Sequence, residues 1–107
     1  MAIYEKRAYA VQVGKMAEVV RLYRDLGFPA LQAGGFDAKL VGYFISDTGP
    51  LHQLVHLWRF DDDADRRAHW KALFSDDAFM AFAGQLRPLL QGQEVQLLTP
   101  APWGPKP

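Results

Sequence analysis

Short stretches of the chain alternate polar with apolar residues, which is typical of β-strands that bury one face. The stretches predicted as strands are residues 3–13, 40–46, 51–60 and 94–98. The first ends at Gly14, and the turn residues of "SDTGP" separate the second from the third, so these two form a hairpin.

Apolar residues at helical spacing predict a first helix over residues 15–26, which Gly27 and Pro29 are expected to end. Its apolar positions are Met16, Val19, Val20 and Tyr23. The segment "LQAGGFDAK" that follows is predicted to be a loop.

A second helical region follows the hairpin. The carboxylates of residues 61–63 are suited to cap a helix that runs to about Phe74. Ser75 or Asp76 is suited to cap a further piece. The apolar side of that piece consists of Phe79, Phe82 and Leu86.

The element order β-α-β-β-α-β is that of a ferredoxin-like α+β fold, an antiparallel sheet with helices on one face. The length of 107 residues supports a single domain over residues 1–107. Residues 3–98 form its folded core. Residues 99–107 hold four prolines and form a tail, either a strap or a loose end.

The first and third strands are central neighbours in this topology. His56, Trp58 and Phe60 share one strand face, because side chains alternate with period two. On the first strand, Ala8 and Ala10 are expected to let the helices approach closely, so the aromatic-rich face needs another cover. A second copy is the simplest cover, and we expect a homodimer packed sheet against sheet.

Composition excludes several classes of function. The formal net charge is zero and no basic stripe with interleaved aromatics occurs, so we expect no nucleic-acid partner. No apolar run approaches the ~20 residues that span a bilayer, so we expect no membrane span and a cytoplasmic location. The chain has no cysteine, which excludes disulfides and thiolate zinc sites.

We expect neither a metal nor a cofactor. Four strand residues separate His52 from His56 by roughly 13 Å, too far for both to ligate one ion. His69 lies beside Trp70 among charged residues and is predicted to be at the surface. Arg66 and Arg67 stand near several aspartates, which favours a local salt-bridge network over recognition of a phosphate or a partner.

Two segments carry a resemblance to a known family. "YEKRAYAVQVGKMAEVVRLY" and "KLVGYFISDTGPLHQLVHLWRFDDDADRRAHWKALFSDDAFMAF" resemble the NIPSNAP family, most specifically in "GPLHQLVHLWRFDD". The resemblance covers nearly the whole chain and suggests the stand-alone bacterial type. It implies a dimeric α+β barrel and says little about chemistry, because members of this family are mostly uncharacterised.

One strand face collects the candidate site residues. These are Glu5, Arg7, Tyr9, Tyr43, His56 and Trp58. They combine an acid, a cation, hydroxyl groups and an imidazole, a set that can bind a small ligand in a half-buried cleft. An alternative is that they form buried ion pairs and hydrogen bonds in the dimer interface.

The leading hypothesis is a homodimer that binds a small apolar ligand or a protein partner in the barrel cleft. The alternative is a cofactor-independent monooxygenase or isomerase. In that enzyme His56 would be the base, Arg7 would stabilise an oxyanion and Tyr9 would donate a hydrogen bond.

Overall fold

The elements of the protein follow the predicted order in a computed structural model that describes all 107 residues. The strands are β1 (Ile3–Val11), β2 (Leu40–Ile45), β3 (Gln53–Phe60) and β4 (Leu90–Leu98). The α-helices are α1 (Met16–Leu22), α2 (Phe28–Ala33), α3 (Asp63–Leu73) and α4 (Asp77–Leu86). A π-helical turn (Tyr23–Gly27) joins α1 to α2, and 3₁₀ turns (Phe36–Lys39 and Arg87–Leu89) precede β2 and β4.

The four strands form one antiparallel sheet in the order β2-β3-β1-β4. The predicted ferredoxin-like α+β fold is therefore confirmed, with β1 and β3 at its centre. Strand β1 is two residues shorter than predicted, and β4 begins at Leu90 rather than at Glu94. The helices pack against one face of the sheet, where Val19, Leu22 and Phe82 meet side chains of β1 and β3.

Aspartates cap both later helices as predicted. The side chain of Asp62 accepts a hydrogen bond from the backbone N–H of Asp65 at 2.8 Å. The side chain of Asp76 accepts one from the backbone N–H of Phe79 at 2.9 Å. Each carboxylate satisfies an otherwise unpaired donor in the first turn of its helix.

The prediction that Gly27 and Pro29 end the first helical segment is wrong. The chain stays helical to Ala33, because the π-helical turn absorbs one extra residue. Pro29 falls in the first turn of α2, where its missing N–H has no helical partner. Gly27 packs on the Phe82 ring so closely that a Cβ atom would lie 2.6 Å from it. This contact fixes the turn against α4.

The orientation predicted for the sheet is also wrong. The row that contains His56, Trp58 and Phe60 faces the helices and is buried, whereas Ala8 and Ala10 lie on the opposite face. The helices cover the bulky row because aromatic side chains bury more apolar area than alanines do. We call the opposite side, with Ala8, Ala10, Val55 and Leu57, the open face.

Two histidines also differ from their predictions. His69 is buried beside Trp58, with ring centroids 4.9 Å apart, rather than exposed at the surface. His52 precedes β3 with a φ of 59°, in the left-handed region, and so is not part of the strand that carries His56.

The C-terminal tail lies against one end of the open face. The Tyr4 hydroxyl donates a hydrogen bond to the Pro107 carbonyl at 2.8 Å. Tyr4 points to the open face and is nevertheless buried, because the tail covers it. This contact favours a strap over a loose end.

Candidate functional site

The six predicted site residues lie together on the helix-facing side of the sheet. Strand pairing sets Arg7 opposite His56 and Glu5 opposite Trp58. Tyr43 of β2 pairs with His56 from the other side. The period of two therefore grouped these residues correctly, although the group faces the helices rather than a second sheet.

A chain of ion pairs crosses this group. Glu5 is fully buried, and its two oxygens accept hydrogen bonds from Arg7 at 3.0 Å and from Arg66 of α3 at 2.9 Å. Arg66 and Arg67 also pair with Asp63, at 3.0 and 2.7 Å, so the predicted local network is confirmed. The contact of Arg66 with Glu5 was not predicted.

Arg7 is held on three sides. Its Nε donates to the Tyr9 hydroxyl at 3.0 Å, its Nη1 contacts Glu5, and its guanidinium carbon lies 4.5 Å from the centroid of the Trp70 ring. Burial opposes the charged form, yet Tyr9 and Glu5 outweigh it and hold the pKa of Arg7 above its ordinary value. The interior therefore contains a permanent, oriented cation.

His56 is a neutral hydrogen-bond acceptor in this arrangement. Burial, assisted by the charge of Arg7, lowers the pKa of His56 to about 3, so the ring is neutral at pH 7. Trp58 Nε1 donates to His56 Nδ1 at 2.7 Å, which assigns the imidazole proton to Nε2. This Nε2 is buried and has no hydrogen-bond partner in the chain.

The assigned tautomer argues against the alternative hypothesis, in which the protein is an enzyme that uses His56 as its base. A neutral imidazole has one lone pair able to accept a proton, and that of His56 is engaged by Trp58. The geometry therefore does not suit proton abstraction by His56.

Tyr23 packs against the candidate site, although the sequence marked it only as one of a row of apolar positions. The π-helical turn directs its ring against those of Tyr43 and Phe82, with centroids 5.1 and 4.7 Å away. Burial raises the pKa of both Tyr23 and Tyr43 above the ordinary value, so both phenols keep their protons at neutral pH. No sequence signal marked the turn that places Tyr23 here.

Two hollows adjoin the group. The larger, about 310 Å³, lies between the sheet and the first helical segment. It is lined by Val19, Val20, Tyr23, Arg24, Phe28, Tyr43, Ile45 and Leu54. The smaller, about 70 Å³, lies beneath α4, and its walls include Arg7, Tyr9, Tyr23, Arg87 and Gln93.

The predicted residues differ in their access to these hollows. Tyr43 lines the larger hollow, and Arg7 and Tyr9 line the smaller. Glu5, His56 and Trp58 line neither of them and instead support the residues that do. Tyr23 lines both, and Arg24 and Arg87, which the sequence did not single out, each line one.

No group of three or more His, Cys, Asp or Glu side chains is arranged to hold a metal ion. None of the helices has both the length and the apolar character needed to cross a membrane.

Comparison with known proteins decides the family. The NIPSNAP family model matches residues 4–105. The chain belongs to the NIPSNAP family. A NIPSNAP family protein from Agrobacterium tumefaciens is 32% identical, with a TM-score of 0.89 over 96% of this chain and 89% of that one. An uncharacterised NIPSNAP domain protein from Burkholderia xenovorans is also 32% identical, with a TM-score of 0.87 over 97% and 99% of the two chains.

A more distant solved structure, described as an antibiotic biosynthesis monooxygenase, is 17% identical with a TM-score of 0.65 over 94% of this chain and 99% of that one. At this identity the similarity shows the shared fold alone. A comparison with curated proteins found no match. The function of this NIPSNAP protein therefore has to be argued from its site.

Proposed function

We propose that this NIPSNAP protein is a homodimer that binds a small, largely apolar ligand between the sheet and the first helical segment of each subunit. The observation that supports the proposal most directly is the hollow of about 310 Å³ beside Tyr23 and Tyr43. Its volume falls at the lower end of the range of about 300–1,000 Å³ for ligand pockets.

The walls of this hollow define the ligand. Valine, leucine, isoleucine and aromatic side chains form nearly all of its surface and favour an apolar body. The phenol of Tyr43 keeps its proton and can donate it to an oxygen of the ligand. Arg24 also lines the hollow, but it is exposed and pairs with Asp25 at 2.9 Å, so it contributes little selectivity.

Filling the hollow is expected to abolish most of the binding. Val20 lies on α1, lines the hollow and is 36% exposed, so a phenylalanine there can occupy ligand space without disturbing the buried core. We expect Val20→Phe to lower the affinity for the neutral fluorescent probe N-phenyl-1-naphthylamine by at least about tenfold, equivalent to ~1.4 kcal/mol. Fluorescence titration of the purified protein measures this change.

Val13→Phe is the matched control, since Val13 is 75% exposed and does not line the hollow. It should bind the probe as the wild type does. A wild-type protein with no saturable binding, or equal affinity in all three proteins, would contradict the proposed pocket.

The homodimer is proposed to form through the open face rather than the aromatic-rich face. Helices cover only one side of the sheet, which leaves Val55 and Leu57 partly exposed and Phe44 56% exposed on the other. Strand β4 is an exposed edge for nearly its whole length. Antiparallel sheets with an uncovered apolar face and an unprotected edge favour association.

A charge on the open face is expected to separate the subunits. Phe44→Glu places a carboxylate in the interface twice, because both subunits of a symmetric dimer contribute the same surface. We expect the dimer dissociation constant to rise at least about tenfold, since burial of a phenylalanine contributes ~1.5–3 kcal/mol. Sedimentation velocity at micromolar concentration measures it.

Leu26→Glu is the control for this experiment, because Leu26 is 40% exposed on the helical side of the molecule. It should remain dimeric. A wild-type protein that sediments as a single 12.1 kDa chain would show that the open face has no such role.

A further inference from the structure

The smaller hollow differs in chemistry from the larger one. Five of its wall residues carry hydrogen-bond donors, and none is an Asp or a Glu. The five are Arg7, Tyr9, Tyr23, Arg87 and Gln93. A concave site with several donors and no carboxylate is suited to an anion.

We propose that this hollow binds the carboxylate of the ligand, so that the ligand class is a small apolar monocarboxylic acid. The proposal rests on the proposed function, because the apolar body of the acid occupies the larger hollow. The volume of about 70 Å³ suits a carboxylate group rather than a whole ligand.

The charges around the hollow leave a positive excess. Arg7 lines the hollow, and the carboxylate that pairs with it, Glu5, is shared with Arg66. Arg87 adds a further cation and forms no ion pair within the chain. A bound carboxylate would balance this excess in a partly buried setting, where charges are weakly screened.

Unused donors point to the same conclusion. Arg7 uses Nε and Nη1 for Tyr9 and Glu5, and its Nη2 makes no hydrogen bond within the chain. The Tyr9 hydroxyl oxygen accepts from Arg7, which leaves its own proton free to donate. A planar carboxylate matches the donor geometry of a guanidinium better than a spherical anion does.

Tyr23 connects the two hollows, since its ring forms part of the wall of both. In the proposed complex this side chain rotates, so that the two hollows join into one elongated site with an apolar end and a cationic end. The ring is on a π-helical turn, a feature that occurs frequently at functional sites.

A matched pair of probes tests the proposal. 1-Naphthoate and 1-naphthalenemethanol share an apolar body and differ in charge. Isothermal titration calorimetry of the wild-type protein at pH 7 and low salt should show the acid binding at least about tenfold more tightly than the alcohol. Arg87→Gln should weaken the acid about fivefold to tenfold and leave the alcohol unchanged.

Arg87 is suitable because it is exposed and lies outside the buried ion pairs, so the variant should fold. Gln93→Glu is a second variant that places a carboxylate in the hollow at nearly constant shape, and it should weaken the acid more than Arg87→Gln does. Arg67→Gln removes an arginine whose side chain is 73% exposed and which does not line the hollow, and it should bind both probes as the wild type does.

The outcomes separate this proposal from the proposed function. Binding of the alcohol reports on the larger hollow alone, so its absence overturns the proposed function. Normal binding of the alcohol, with an acid that binds no more tightly or is insensitive to both variants, overturns only the carboxylate site. Acetate and inorganic phosphate serve as competitors, and displacement of naphthoate by phosphate but not by acetate also overturns it.

Discussion

Replacement of Glu5 by glutamine is expected to lower the free energy of unfolding by about 3–5 kcal/mol, the cost of breaking a buried ion pair by removing one partner. Glu5 is fully buried, and each of its oxygens accepts from a different arginine. Glutamine has nearly the same shape but carries no charge and turns one acceptor into a donor. Arg7 and Arg66 would then be two cations without their common carboxylate.

Urea denaturation at pH 7 measures the effect. Glu18→Gln is the matched control, since Glu18 forms an ion pair with Arg21 on the exposed side of α1, where both side chains are almost half exposed. We expect it to leave the free energy of unfolding nearly unchanged, as is usual for surface pairs. An equally small effect of Glu5→Gln would mean that solvent reaches the Glu5 cluster and screens it.

The sequence was sufficient to predict the order of the elements and the grouping of the site. Period two alone placed Arg7 and Tyr9 on one side of β1 and His56 and Trp58 on one side of β3. The hairpin turn and the capping aspartates are local signals, and they were confirmed at Asp62 and Asp76.

The alternation of side chains could not decide which face of the sheet the helices cover. Alternation sorts residues into two rows but does not say which row is buried. We expected the helices to approach Ala8 and Ala10, but they cover the bulkier row, which gains more from leaving water. Because of this error, the dimer contact was predicted on the wrong face of the sheet relative to the helices. The residues predicted to be neighbours, such as Arg7 and His56, are still neighbours.

The site residues missed from the sequence depend on contacts between distant segments. Arg66 was interpreted within its own helical turn, and nothing local indicated that it would reach Glu5, 61 residues earlier. The position of Tyr23 depends on the π-helical turn, which packing of Gly27 on Phe82 stabilises across two helical segments. Such features arise from the packed structure, which is why periodicity did not reveal them.

Acid is expected to destabilise the protein through His56. The pKa of His56 is about 3 in the folded protein and about 6.5 in the unfolded chain, so only the unfolded state gains a proton at His56 between these values. Its contribution to stability is complete above pH 6.5 and is lost as the pH falls towards 3, with a slope of about 1.4 kcal/mol per pH unit. Between pH 7 and pH 5 the loss is therefore about 2 kcal/mol.

Two measurements test this mechanism. The proton NMR signals of the His56 ring should show no titration between pH 7 and pH 5, and a midpoint in that range would contradict the assignment.

His56→Phe should be less stable at pH 7, because Trp58 loses its acceptor, but its stability should fall less steeply from pH 7 to pH 5. A variant as acid-sensitive as the wild type would show that other groups cause the loss.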